Sequence, residues 1–283
     1  MFKIILPLLL LIGCARNKVS QPEWDKSVNT QAVTVSPGKV KLVGLKYKDF
    51  IQPKLFCGNG DKYELFKVEN MYKAYIAESY FSKNKKYDCY ISDGKKQAVI
   101  FNVTVKKYPY KKERLYVNKR RVTLSKKDQK RAIREQKMLN KIYAAYSKKP
   151  FFSDKFKTPL NSKITSYYGT RRIFNGHKKT QHLGTDYRAR VGVKIKSVNR
   201  GKVVFAGNLF YTGNAVIVDH GAGIFSVYGH LSKIVAQAGE MVMKDSLLGY
   251  SGKTGRVSGP HLHWGVKIAG NWMDGISLVK EGI

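Results

Sequence analysis

From Thr158 to the C-terminus, glycines cut the chain into short alternating runs, and this punctuation limits what it can fold into more than any other feature. The runs are Lys163-Ile-Thr-Ser-Tyr167, Val193-Lys-Ile195, Lys202-Val-Val-Phe205, Ala215-Val-Ile-Val218, Ile224-Phe-Ser-Val-Tyr228 and Leu262-His-Trp-Gly-Val266. Gly201, Gly207, Gly221, Gly223, Gly239, Gly249 and Gly252 punctuate them. Runs this short cannot build a helical stripe, whereas a strand buries every second residue. Many short strands with regular turns indicate antiparallel sheets. Residues 31–107 repeat the theme in Val33-Thr-Val35, Val40-Lys-Leu-Val43, Lys54-Leu-Phe56, Tyr87-Asp-Cys-Tyr-Ile91 and Ala98-Val-Ile-Phe-Asn-Val-Thr-Val105. Turns at Gly58-Asn-Gly-Asp61 and Ser92-Asp-Gly94 separate these, and the stretch reads as a small β-sandwich. One segment breaks the pattern. Ser125 and Asp128 form a helix start, and Ala132, Ile133, Met138, Leu139, Ile142 and Tyr143 recur at roughly helical spacing, predicting a helix over about 126–146. The chain is thus mainly β: a sandwich over 31–107, a basic linker over 108–157 with the helix, and a C-terminal domain of antiparallel sheet over 158–283.

Residues 1–13 carry Lys3 and an apolar run from Ile4 to Ile12 broken by Pro7. The run falls short of the roughly 20 residues that span a bilayer and reads as a secretion signal. It closes on Leu11-Ile12-Gly13-Cys14, which is similar to a bacterial lipobox. Acylation of Cys14 then anchors the protein to a membrane through a polar tether over 14–30, and Ala15 is compatible with the outer membrane. Export permits disulfides. Cys57 and Cys89 either bridge or stay as two small buried thiols, and neither is a nucleophile candidate, since no His lies in that half.

The formal charge is +34, and Lys106–Lys157 alone holds 19 Lys and Arg against 4 Asp and Glu. Such an excess suits polyanionic partners. An exported chain without a nucleic-acid motif points away from nucleic acid and towards wall carboxylates or anionic lipid. A Lys-rich composition that serves only solubility explains the excess equally well.

Two strings carry chemistry: His182-Leu-Gly-Thr-Asp186 and His261-Leu-His263. Residues i and i+2 of a strand share a face, so His261 and His263 can enter one cleft. His182 and Asp186 flank a Gly-containing stretch that can bend both inward. Zinc suits imidazole and carboxylate donors, and a catalytic site takes three protein ligands and leaves a fourth position for water. The remaining histidines have plainer readings: His220 packs or caps at a turn, and His177 sits in a solvated loop. Arg172 either binds a substrate carboxylate or forms a surface ion pair. Tyr228, two residues before His230, either lines the groove or belongs to the core.

The flanks of these strings resemble the LytM/lysostaphin-type zinc endopeptidases of bacterial cell walls. The matching stretches are Tyr168-Gly-Thr-Arg-Arg172, Phe174-Asn-Gly176, His182-Leu-Gly-Thr-Asp-Tyr187, Gly213-Asn-Ala-Val-Ile-Val-Asp-His-Gly221, Val227-Tyr-Gly-His-Leu-Ser232 and Gly255-Arg-Val-Ser-Gly-Pro-His-Leu-His-Trp-Gly265. The resemblance implies stacked sheets with an open groove, one Zn²⁺ on His182, Asp186 and His263, and His230 and His261 as unligated catalytic histidines. It further implies a peptidoglycan substrate, with metal-activated water hydrolysing stem-peptide cross-links. For a lipid-anchored, periplasm-facing monomer this means D,D-endopeptidase action on D-alanyl–diaminopimelate. Some relatives have lost these residues and serve as wall-binding amidase activators, which is the alternative reading. All five residues are kept here.

Overall fold

The computed structural model describes residues 23–45, 50–116 and 124–283. The expected signal over 1–13, Cys14 and the first part of the tether lie outside the described residues, as do Val122 and Thr123 ahead of the helix. The architecture is mainly β, as the alternating runs predict, with two described helices, Lys126–Ala144 and Gly275–Glu281.

In the amino-terminal half, Lys96–Val105 centres one sheet. It pairs antiparallel with Lys86–Ser92 but parallel with Glu23–Trp24 and Gln31–Val35. A second sheet orders Val40–Leu45, Met71–Ala77 and Phe66–Val68. Val33, Val43, Leu55, Ile76, Ile91 and Phe101 are all buried between the strands. Cys57 and Cys89 face each other across adjacent strands and form a disulfide.

This half is not a bead on a string. Phe152 and Phe156, from the stretch before the second half, are buried against Phe66 and Tyr75 of the first, and Phe156 also meets the His220 ring edge-on. Each such ring pair contributes about 0.5–1.5 kcal/mol beyond its area. The C-terminal helix completes the join: Lys39 Nζ reaches Asp274 at 2.5 Å, and Glu281 accepts from the Leu42 backbone N–H. Lys112–Leu115 adds a parallel strand to the hairpin Arg171–Phe174/Lys178–Gln181.

The helix is capped by Ser125, whose Oγ accepts from the Asp128 N–H at 3.1 Å. It buries none of its residues fully. Leu139 and Tyr143 pack on Phe225 and Trp272, and Glu135 accepts from the Phe210 N–H at 2.7 Å. The Lys- and Arg-rich face points to solvent.

The large sheet of the second half runs Ile164–Ser166, Thr185–Arg188, His261–Ile268, Ile224–Ile234, Gly213–Gly221, Gly201–Leu209, Met241–Val242, with every pairing antiparallel. Tyr187, Leu262, Trp264, Val266 and Ile268 fill its core side. The alternate residues of the same strands are left for the other face, where the site forms.

Candidate active site

Register builds the site. Asp186 stands opposite His263 and Arg188 opposite His261, while Thr185 faces Trp264 and Tyr187 faces Leu262 on the core side. Directly opposed residues of antiparallel strands share a face. Asp186, Arg188, His261 and His263 therefore form two adjacent rows on one surface. Gly229 is the next residue across from His263, and Ser166 the next from Asp186.

His182 enters from the turn before Thr185–Arg188. His182 Nε2, Asp186 Oδ1 and His263 Nδ1 form a triangle with edges of 3.1, 2.9 and 3.2 Å. Tetrahedral donors about 2.0–2.1 Å from zinc sit about 3.3 Å from one another, so the triangle opens only slightly to admit the ion. Two imidazoles and a carboxylate are donors that zinc favours. Burial raises the Asp186 carboxyl, but hydrogen bonds and charge from His182 and His263 outweigh it and hold the group below the ordinary carboxylate range. The anion is thus preformed for a cation.

The outer contacts orient His182. Its Nδ1 lies 3.1 Å from Ser166 Oγ and 3.3 Å from the Tyr167 carbonyl, and these contacts hold the ring with Nε2 turned towards the other donors. Ser166 Oγ in turn accepts from Arg172 Nη2 at 2.7 Å. Arg172 also lies 3.7 Å from Glu113 and 3.9 Å from Asp186. It is thus half-buried beside the donors, within ion-pair distance of two carboxylates. Glu113, from the parallel strand Lys112–Leu115, is invisible in local sequence because only that long-range pairing brings it near.

His230 and His261 complete the cluster, with ring centroids 4.7 Å apart and His230 5.8 Å from His263. Each is tied through Nδ1 to a carbonyl at 2.9 Å: His230 to Thr254 and His261 to Gly259. These ties fix both rings, and His261 Nε2 lies 3.7 Å from Asp186 Oδ1. Burial, then the neighbouring His263 and His261, push the His230 pKa down to about 3 against the opposing pull of the Thr254 carbonyl. His230 adopts φ +64°, the left-handed region, with its N–H on the Thr212 carbonyl at 2.6 Å. Holding a non-glycine residue there costs about 1–3 kcal/mol.

That conformation separates two residues that strict alternation places on one face. The ladder between Gly213–Gly221 and Ile224–Ile234 shifts register at this point. Tyr228 goes fully into the core, where its hydroxyl accepts from the Val198 N–H, while His230 turns into the site. His220 is buried with Nδ1 on the Arg200 carbonyl and Nε2 on Ser226 Oγ, and His177 is exposed.

Residues 180–275 match Peptidase family M23. The chain is 38% identical over 115 residues to the peptidoglycan DD-endopeptidase ShyA of Vibrio cholerae, covering 40% of this chain and 27% of that protein. It is 34% identical over 117 residues to the DD-carboxypeptidase/endopeptidase Mpg of Neisseria meningitidis, covering 41% of this chain and again 27% of the relative. The chain thus spans about a quarter of these curated relatives. A Pseudomonas aeruginosa crystal structure described as a peptidase M23 superposes with TM-score 0.68 at 25% identity, over 87% of this chain and 95% of that one. That likeness extends well beyond 180–275 into the β-rich amino-terminal half. With His182, Asp186, His230, His261 and His263 converging inside the matched stretch, the chain carries an M23 peptidase domain of the LytM type.

Proposed function

We propose that this protein is a zinc-dependent endopeptidase that hydrolyses stem-peptide cross-links of peptidoglycan, acting as a D,D-endopeptidase on D-alanyl–diaminopimelate bonds. One observation carries the reading: three donor atoms within 3.2 Å of one another, beside two histidines whose Nδ1 atoms are each held by a backbone carbonyl. His182, Asp186 and His263 would hold the ion. Zinc there supplies a Lewis acid and a bound water that ionises near neutral pH. His230 and His261 supply the proton chemistry. One would accept the water's proton at Nε2, its Nδ1–H held by a backbone carbonyl, and pass it to the amine nitrogen as the C–N bond breaks, while the other, protonated at Nε2 from solvent, would hydrogen-bond the negative charge growing on the peptide carbonyl oxygen. Each role contributes about 10²–10⁴ in rate. The relatives named as DD-endopeptidases support the substrate class. The same proposal places the protein in the periplasm-facing envelope as a monomer, held by lipid on Cys14, on the outer membrane.

The test uses purified protein and wall sacculi, with and without a zinc chelator. Release of monomeric muropeptides with new free amino groups is expected. It stops on chelation, in His263→Ala through loss of zinc, and in His230→Ala with zinc retained. Equal release in those variants removes the site from the reaction. No release by fully zinc-loaded wild type favours a silent wall-binding activator.

A further inference from the structure

The cross-strand row next to the donors holds one residue that the proposed chemistry does not use. Arg188 is opposite His261, on the face that carries Asp186 and His263. Opposed Cβ atoms are about 5 Å apart, so a side chain as long as arginine has the space in front of His261 within its reach. Its neighbour Tyr187 is buried in the core, whereas Arg188 is exposed. Its backbone N–H is fixed on the Lys163 carbonyl at 2.8 Å. Its guanidinium has no hydrogen bond or ion pair among the described residues. In a chain with 53 Lys and Arg against 19 Asp and Glu an unpaired cation is common, so freedom alone argues nothing. Position does. The other arginine beside the donors, Arg172, is already held by Ser166, Glu113 and Asp186.

A planar guanidinium with free donors matches a carboxylate, bidentately when the approach is open. Beside the scissile bond, the candidate cross-links differ in this one group. When D-alanine acylates diaminopimelate, the carbon attached to the scissile nitrogen bears a carboxylate. When it acylates the lysine side chain, the same carbon bears only hydrogen, and a glycine bridge has no carboxylate within it. We propose that Arg188 is a specificity-determining residue that binds the carboxylate flanking the scissile nitrogen, so that the enzyme prefers diaminopimelate cross-links over lysine-linked or glycine-bridged ones. The inference rests on the endopeptidase reading and narrows its substrate.

The experiment compares two cross-linked muropeptide dimers that differ only in carrying diaminopimelate or lysine at the acylated amine. The full chain is assayed loaded with zinc, as wild type, Arg188→Gln and Arg188→Lys. Wild type is expected to favour the diaminopimelate dimer by at least about tenfold in kcat/KM, the size of a hydrogen bond to a charged group. R188Q raises KM for that dimer until the two substrates agree, leaves the lysine dimer unchanged, and R188K restores part of the preference. An equal loss on both dimers, or a preference that survives in R188Q, overturns the proposal. If wild type cuts neither dimer, the endopeptidase reading falls, and calorimetric binding of the same dimers decides on Arg188. Tighter binding of the diaminopimelate dimer, lost in R188Q, supports the assignment, and equal affinities refute it.

Discussion

Gly184 lies between two of the three donors in sequence, and the space around it is occupied by the third. A Cβ on Gly184 would lie 2.3 Å from His263 Cε1, 2.6 Å from its Nε2 and 2.9 Å from the Trp264 carbonyl oxygen. Gly184 is not among the residues with positive φ, so alanine adds a methyl group without backbone strain. Carbon contacts become favourable near 3.5 Å, so the imidazole must retreat by about 1 Å. The Trp264 carbonyl cannot yield as far without opening the ladder between Thr185–Arg188 and His261–Ile268. The ring therefore moves, and with it one corner of the donor triangle. A misplacement of that size costs about 10–100-fold in metal affinity, as loss of an outer-shell partner does, and about 100-fold in turnover. Overpacking also lowers metal-free stability, by about 1–3 kcal/mol. Zinc affinity of Gly184→Ala by competition with a chromogenic chelator reads the first effect. Urea unfolding in the presence of chelator reads the second separately. Gly44→Ala is the control, because its Cβ meets only Met71 Sδ, at 3.9 Å, far from the site. Wild-type zinc affinity and turnover in Gly184→Ala would refute the claim that ring-on-glycine packing positions His263.

Two further outcomes follow from the core. Removing the Cys57–Cys89 bridge, whose ends are 32 residues apart, is expected to lower unfolding free energy by about 3–4 kcal/mol, measured by urea titration of the double serine variant. An unchanged midpoint would mean that the bridge constrains nothing the two sheets do not already hold. His220 is wholly buried, and burial pushes its pKa from 6.5 to about 4. The folded protein then binds fewer protons than the unfolded chain between these values. Its contribution is complete above pH 6.5 and falls by about 3 kcal/mol as the pH drops to 4. Urea midpoints at pH 7 and 4.5 should differ less in His220→Gln than in wild type, and an equal difference excludes His220 as a source of acid sensitivity.

What was legible from sequence is what local period encodes. His261 and His263 share a face because they are two apart on a regular strand, and Leu262 between them is buried as alternation requires. The glycine-punctuated runs likewise gave antiparallel sheet, and the Ser125 cap gave the helix start within a residue. The convergence of His182 and Asp186 with His263 came from family resemblance, not from spacing. Their approach depends on Gly184 lying under the His263 ring, a contact made 79 residues away in sequence.

The rest was hidden because it is set by pairing between distant strands. Tyr228 and His230 look like neighbours on one face until a register shift and a left-handed φ send them to opposite sides. Glu113 approaches Arg172 only because Lys112–Leu115 joins a hairpin in parallel, a pairing for which no turn signal exists. Arg188 is the sharpest case. In sequence it is one more cation in a chain full of them, two residues past a donor. Opposite His261, the same residue stands one row from the donor triangle. A period-2 pattern says which face a side chain takes, but register across strands decides whose neighbour it becomes. Sites assembled from several strands are therefore read half from the sequence and half from the ladder.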